Sequence, residues 1–128
     1  MDAQQVLFGE LKDLIGKEYT VIDDSLPPLG GTFPIIMMGD MYQYDRMSKG
    51  RAEYMVRVVQ NVHIWHHSDK RGTFSEVCDY VKECCREIEW SELEYSYTMK
   101  DLTLKILMDN SSPKRLIHGI ITVEYYAS

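Results

Sequence analysis

Residues 52–66 are the sequence feature that most constrains the fold, because apolar and polar side chains alternate along most of this run. Alternation with a period of two is typical of a strand with one face on a core and the other in solvent. One predicted face carries Tyr54, Val56, Val58, Val62 and Ile64, and the opposite face carries Arg57, Asn61 and His63. Residues 34–44 are also rich in branched and aromatic side chains, and turn-like residues 47–50 separate the two runs. The pattern predicts a β-hairpin in a sheet that is covered on one side.

The cover for this sheet is predicted to be a helix that begins near residue 73. Thr73 followed three positions later by Glu76 matches a capping box, a pattern that begins helices. Apolar side chains then recur at helical spacing up to about residue 88. They form one stripe, which consists of Phe74, Val77, Val81, Cys84 and Ile88.

The chain begins with another predicted helix, residues 2–15, in which apolar residues recur every three to four positions. Asp2 is the predicted N-cap, and Gly16 is the predicted C′ residue that ends the helix. A short extended piece, residues 19–22, leads into residues 23–31. That segment contains two prolines and two glycines, so it is predicted to be a loop.

The last third of the chain has the texture of β-structure. Residues 94–99, 102–108 and 116–126 are three candidate strands, and residues 109–113 are the predicted turn before the last of them. The element order is therefore α-β-β-α-β-β, with a further strand if both of the earlier runs form separately. This order predicts a single α+β domain over residues 1–128, with two helices packed on one face of a mostly antiparallel sheet.

Composition restricts the functional class. The 128 residues carry 14 Lys and Arg against 20 Asp and Glu, a net charge of −6, which disfavours binding to nucleic-acid phosphates or to an anionic membrane. No apolar stretch approaches the length of a membrane-spanning helix, and the N-terminus lacks the pattern of a signal peptide. Three cysteines, two of them adjacent, do not form a disulfide framework. We therefore expect a soluble, non-secreted protein in a reducing compartment.

Histidines and cysteines are the candidates for chemistry. On a strand, His63 and His67 lie on one face roughly 13 Å apart and His66 lies on the other, so we expect no metal site. Cys78, Cys84 and Cys85 fall in the second helix and are expected to be small buried residues. No nucleotide-binding, nucleophile-elbow or zinc-protease motif is present in the sequence, and we predict no cofactor and no enzymatic activity.

Two alternatives stay open from the sequence. The first is a small cytoplasmic α+β enzyme that uses Cys78 or Cys85 together with His63 or His118. The second is a ligand-binding or regulatory domain of the same fold class.

Charged residues are distributed unevenly along the chain. Basic pairs occur at predicted turns, and residues 83–94 are strongly acidic. The basic pairs are Lys49 with Arg51, Lys70 with Arg71, and Lys114 with Arg115. Opposite charges in different regions suit head-to-tail self-association, although charged turns are also commonly just solvated.

The sequence as a whole resembles the tail-completion, or tail-terminator, family of long-tailed bacteriophages and prophages. The residues that carry the resemblance are the first helix up to Gly16, the Pro/Gly loop, and segments 33–40, 58–65, 73–77 and 118–126. The resemblance implies an α+β fold and a hexameric ring that caps the tail tube, ends its polymerisation and provides the surface on which the DNA-filled head docks. It implies assembly in the host cytoplasm and a final place in the virion tail.

The partners that the resemblance implies are other copies of the chain, the major tail tube protein and a head-connector or stopper protein. DNA would only pass through the ring, and the negative net charge agrees with passage without binding. We predict that contacts between subunits use the loop with Leu29 and Gly30 and the hairpin tip with Lys49 and Arg51, together with Lys114 and Arg115.

Overall fold

The structure, a computed structural model, describes residues 2–22, 32–47, 54–110 and 114–128. These residues form two helices and a sheet of five strands, so the predicted α+β class is confirmed. The elements in chain order are α1 (Ala3–Gly16), β1 (Val21–Ile22), β2 (Ile35–Met47), β3 (Tyr54–His67), α2 (Arg71–Glu87), a 3-10 turn (Ile88–Trp90), β4 (Tyr97–Asp109) and β5 (Leu116–Ala127).

The strands lie in the order β1-β2-β3-β5-β4. Strands β2 and β3 form the predicted hairpin, with Ile36 opposite Ile64 and Met47 opposite Tyr54, while residues 48–53 lie outside the described part of the chain. Strand β5 pairs antiparallel with both β3 and β4, so it lies between them. In the described sheet, only β1 is parallel to its neighbour. It lies beside the start of β2, with Val21 opposite Ile36.

Both helices pack on the same face of the sheet, as predicted. The apolar stripe of α2 is buried along its whole length, and Val56, Val58, Val62 and Ile64 of β3 are at most 4% exposed beneath the helices. Helix α1 contributes Leu7, Leu11, Leu14 and Ile15 to the same core. No helix in the described residues is long and apolar enough to span a membrane.

The predicted helix ends need two corrections. Helix α2 begins at Arg71, and its N-cap is Lys70, which makes no side-chain cap, so the capping box predicted at Thr73 does not form. The cause is the turn after β3: the amide of Lys70 donates to the carbonyl of His67 at 3.0 Å, and Lys70 then accepts from Phe74 at 2.9 Å. Gly16 is the last helical residue and not the C′ residue, because Lys17 keeps right-handed helical backbone angles.

The optional further strand does not form, because residues 97–99 and 102–108 belong to the single strand β4 and residues 94–96 precede it. The register shifts between Met99, opposite Tyr125, and Asp101, opposite Glu124, which leaves Lys100 as the extra residue of a β-bulge. One extra residue reverses the inward and outward alternation. The sequence therefore looks interrupted at a point where the backbone is continuous.

A polar residue lies between the aliphatic side chains of Val58 and Val62 on the covered face of β3. Gln60 is fully buried, and its side-chain amide donates to the carbonyl of Gly39 at 3.1 Å and to that of Asn61 at 2.8 Å. The register of β2 against β3 shifts between Met38 and Met41, so the Gly39 carbonyl lies within an irregular stretch of the ladder. Gln60 supplies a hydrogen bond where the pairing is irregular.

Candidate interaction surfaces

One end of the sheet carries a cluster of positive charge, which we call the basic end. The connection from β3 to α2 provides Lys70 and Arg71, and Lys114 and Arg115 precede β5. The two segments are joined by a hydrogen bond of 3.1 Å from the amide of Ser68 to the carbonyl of Arg115. Two of the three predicted basic turns are thus neighbours in space.

The basic end contains a cavity of about 440 Å³. It is lined by His67, Ser68, Asp69, Lys70, Lys114 and Arg115. The first turn of α2 begins beside it and contains no acidic residue. Three cationic side chains and one carboxylate, that of Asp69, line the cavity, and the N-terminus of α2 adds partial positive charge, so the charge around the cavity is positive on balance.

The opposite end of α2 is acidic, and we call residues 83–94 the acidic end. Five glutamates lie there within twelve residues, and a single arginine, Arg86, bridges to Glu83 at 2.5 Å. The 17 residues of α2 span about 25 Å, which separates the acidic end from the basic end. The domain is therefore electrically polar along the axis of α2.

Trp90 projects from the acidic end. It is 83% exposed, whereas Ile88 in the same 3-10 turn is buried in the core. Sequence reasoning did not single out Trp90, although an aromatic residue outside any apolar stripe and between glutamates was an available signal.

The sheet face away from the helices is the open face. Near the hairpin tip it exposes Tyr42, Tyr44 and Met55, each about half exposed. Arg57 lies 4.8 Å from the centre of the Tyr44 ring and bridges to Glu124. Aromatic, methionine and arginine side chains of this kind are enriched in protein interfaces.

A stack of rings occupies the other half of the open face. Nδ1 of His63 and Nε2 of His118 are 2.9 Å apart, and the Trp65 ring stacks on His118 at 4.3 Å between centres. Burial lowers the pKa of both histidines, and His63 lowers the pKa of His118 further, against the opposing charges of Asp40 and Asp109. The pair is therefore neutral, with one ring nitrogen donating and the other accepting.

The histidines do not assemble a metal site with other residues. In the part of the chain that the structure describes, no three His, Cys, Asp or Glu side chains are close enough to hold an ion. His66 lies on the covered face, as predicted, and its Nδ1 accepts from the amide of His67 at 2.8 Å.

All three cysteines are free and buried. Burial raises the pKa of Cys78 to about 11 and that of Cys85 to about 12, so both remain thiols at neutral pH. The thiols lie on the helix side of the sheet, while His63 and His118 lie on the open face. Because the sheet separates them, the geometry does not support the alternative of a Cys–His enzyme.

Of the six predicted contact residues, the structure describes two. Lys114 and Arg115 are both exposed at the basic end. Leu29, Gly30, Lys49 and Arg51 lie outside the described residues.

No protein-family model matches the chain, and no curated protein matches it. The chain is similar to a solved structure of the bacteriophage SPP1 gp17 protein, with a TM-score of 0.55 and 17% identity over 96% of this chain and 89% of that one. It is also similar to a chain of the virion of a native gene transfer agent particle, with a TM-score of 0.55 and 13% identity over 97% and 94% of the two chains. The chain therefore shares, over nearly its whole length, the fold of a bacteriophage protein and of a virion component.

Proposed function

We propose that the chain is a structural protein of a phage-type tail, and that six copies form a ring which caps the tail tube. The observation that carries this proposal is the shared fold with SPP1 gp17 and with the gene transfer agent virion, which extends over 96% and 97% of the chain. The sequence resemblance to tail-completion proteins points to the same function.

The polar charge distribution supports assembly into a ring. The basic end of one subunit is complementary to the acidic end of the next, and the two surfaces lie on opposite sides of the domain. Contacts between different surfaces are head-to-tail, and they generate a closed ring when the rotation between subunits closes. Charge complementarity also speeds the encounter and selects the orientation.

The two faces of such a ring have different partners. One face binds the last layer of the major tail tube protein and stops further addition, and the other binds a head-connector or stopper protein. DNA passes through without being bound, since a net charge of −6 does not favour contact with phosphates. Assembly takes place in the host cytoplasm, and the protein remains in the virion tail.

The loop containing Leu29 and Gly30 and the hairpin tip containing Lys49 and Arg51 are proposed as further contact elements. Both are connections at the ends of sheet strands, where loops commonly carry binding residues. Lys114 and Arg115 form the third contact element, at the basic end.

Gene deletion with complementation tests this function. After loss of the gene, negative-stain electron microscopy should show tails of uncontrolled length, or full-length tails that do not join heads. The wild-type gene should restore both tail length and infectious particles. The double variant Lys49→Glu/Arg51→Glu should remain folded and fail to restore them.

The single variant Lys105→Glu is the matched control, because it reverses an exposed charge on the open face, away from the proposed contacts. It should restore normal tails. Normal virion yield without the gene would falsify the tail-completion function. Normal tails with the double variant would show that the hairpin tip is not a contact element, and would leave the rest of the proposed function in place.

A further inference from the structure

Trp90 is held on an ordered support. Ile88 anchors the 3-10 turn in the core, and the amide of Ser91 donates to the carbonyl of Ile88 at 3.2 Å. The hydroxyl of Ser91 donates to the carbonyl of Glu87, also at 3.2 Å. The indole is therefore exposed by the geometry of a fixed turn.

The surroundings of Trp90 are acidic. Exposed glutamates lie on both sides of it along the chain: Glu87, Glu89, Glu92 and Glu94. A large aromatic side chain that is 83% exposed leaves apolar area in water, which is unfavourable unless a partner covers it. Tryptophan is also among the residues that most often dominate the binding energy of an interface.

A surface with matching properties exists at the basic end of the same chain. The cavity of about 440 Å³ there has room for an indole, and Lys70 and Arg115 are among its lining residues. Lysine and arginine side chains stack favourably on the face of tryptophan. On the open face, Arg57 and Lys100 both bridge to Glu124, which offsets part of their positive charge.

Apolar side chains are exposed along β4 toward the same end of the sheet. Strand β4 ends there, because Asp109 pairs with Leu116, the residue that follows Arg115. The residues just before that end are unusually exposed for apolar types: Ile106, Leu107 and Met108. The basic end thus offers both cations and apolar area to an incoming aromatic group.

We infer that Trp90 of one subunit inserts into the basic cavity of a second copy of this chain, with the glutamates around Trp90 facing Lys70, Lys114 and Arg115. This inference rests on the proposed function and specifies the contact between subunits. On one subunit, Trp90 and the cavity are separated by the length of α2, about 25 Å. Because the contact joins two different surfaces, it is head-to-tail.

Self-association of the full chain measured by analytical ultracentrifugation is the first test. Trp90→Ala should raise the dissociation constant at least tenfold and leave the melting temperature unchanged, because the side chain makes little contact within the subunit. Lys105→Ala is the control, since it shortens another exposed side chain, on the open face and outside the proposed contacts, and it should change the constant less than twofold. Equal association of wild-type protein and Trp90→Ala would overturn the inference.

A charge exchange tests which surfaces meet. The variants Lys114→Glu/Arg115→Glu and Glu87→Lys/Glu92→Lys should each associate poorly with themselves. A mixture of the two should associate, because each supplies the charge that the other now requires. A mixture that associates no better than either variant alone would contradict the pairing.

A photo-crosslinking amino acid at position 90 identifies the contact directly, in the isolated protein and on assembled tails. Crosslinked peptides should contain residues 67–71 or 114–115 of another copy. Crosslinks only to other segments, or to the tail tube protein, or none in either sample, would overturn the inference. Correctly capped tails made by Trp90→Ala would leave the tail function in place and exclude only this contact.

Discussion

The covered and open faces of the sheet differ in chemistry although the same strands form both. Along β3, the residues on the covered face are aliphatic except for Gln60 and His66, and those on the open face include Arg57, His63 and Trp65. The helices already supply the partner for the covered face. Stability is therefore concentrated on one face, and the other face and the two charged ends can change with little effect on folding.

Adjacent tyrosines in β5 illustrate the same contrast. Tyr125 is fully buried, and its hydroxyl donates to the carbonyl of Cys85. Tyr126 points to the open face, where Lys100 lies 5.1 Å from the centre of its ring. Two residues of the same type, one position apart, have different neighbours because side chains alternate along a strand.

The largest expected effect is that of a charge placed under the covered face. Val81→Asp should destabilise the domain by at least about 3 kcal/mol, because it buries a carboxylate without a partner at a position with no exposed area. Ser75→Asp, at an exposed position of the same helix, should melt within a few degrees of wild type. A soluble Val81→Asp protein with the wild-type melting temperature would contradict the assigned packing.

Alanine substitution of two strand glycines allows a comparison of the two faces, with a smaller expected loss of stability. A Cβ at Gly119 would lie 2.8 Å from Cζ of Phe74, which is buried, so Gly119→Ala should cost about 1–3 kcal/mol. A Cβ at Gly39 would lie 2.6 Å from the His63 ring and 3.2 Å from the carbonyl oxygen of Asn61, but the ring lies on the open face and is only part-buried, unlike that of Phe74. Chemical denaturation should show a smaller loss in the free energy of unfolding for Gly39→Ala than for Gly119→Ala. A larger loss for Gly39→Ala would contradict the expected difference between the faces.

Removing one hydroxyl from each adjacent tyrosine gives a smaller difference. Tyr125→Phe should lower the free energy of unfolding by about 1 kcal/mol, because the buried carbonyl of Cys85 loses its donor. Tyr126→Phe should change it by less than about 0.5 kcal/mol. Equal values from denaturant titration would mean that the buried hydroxyl does not stabilise the fold.

The smallest expected effect is a dependence of stability on pH. The pKa values of His63 and His118 are lowered by burial in the folded state, so folding favours their neutral forms. The stability that they contribute is complete above about pH 6.5, the pKa of an unfolded histidine, and is lost as pH falls below it. The melting temperature should fall by a few degrees between about pH 7.5 and pH 5.5.

The double variant His63→Gln/His118→Gln should reduce this pH dependence. Some dependence should remain, because burial also lowers the pKa of His66 on the covered face. Gly39→Ala should reduce it as well, if it displaces the His63 ring. An unchanged pH profile in the double variant would show that the ring pair is not its source.

Much of the fold was predictable because local patterns agreed with the final packing. The alternation in β3 and the stripe through Phe74, Val77 and Val81 identified most of the aliphatic core, and both predictions are confirmed for the described side chains, which do not include that of Tyr54. Such patterns depend only on the geometry of strands and helices, which repeats along the chain.

The predictions that failed concern places where local rules compete with tertiary contacts. The capping box at Thr73 is a valid helix start, but the turn after His67 begins the helix two residues earlier. The extra residue, Lys100, interrupts the alternation of side chains, so the sequence pattern of one strand resembles that of two. Residue type alone determines neither the start of α2 nor the bulge in β4. Each depends on which other part of the chain the segment contacts.

By itself, the sequence determined most of the aliphatic core, the α+β class and the uneven distribution of charge, because these follow from periodicity and composition. Only the tertiary structure decided that Lys70 and Lys114 share one cavity and that His63 contacts His118, since strand order brings together residues that are far apart in the chain. It also decided that Trp90 projects from a fixed turn, because Ile88 in that turn is anchored in the core. Contacts between distant segments depend on the order of the strands in the sheet, which the alternation within a single strand does not encode.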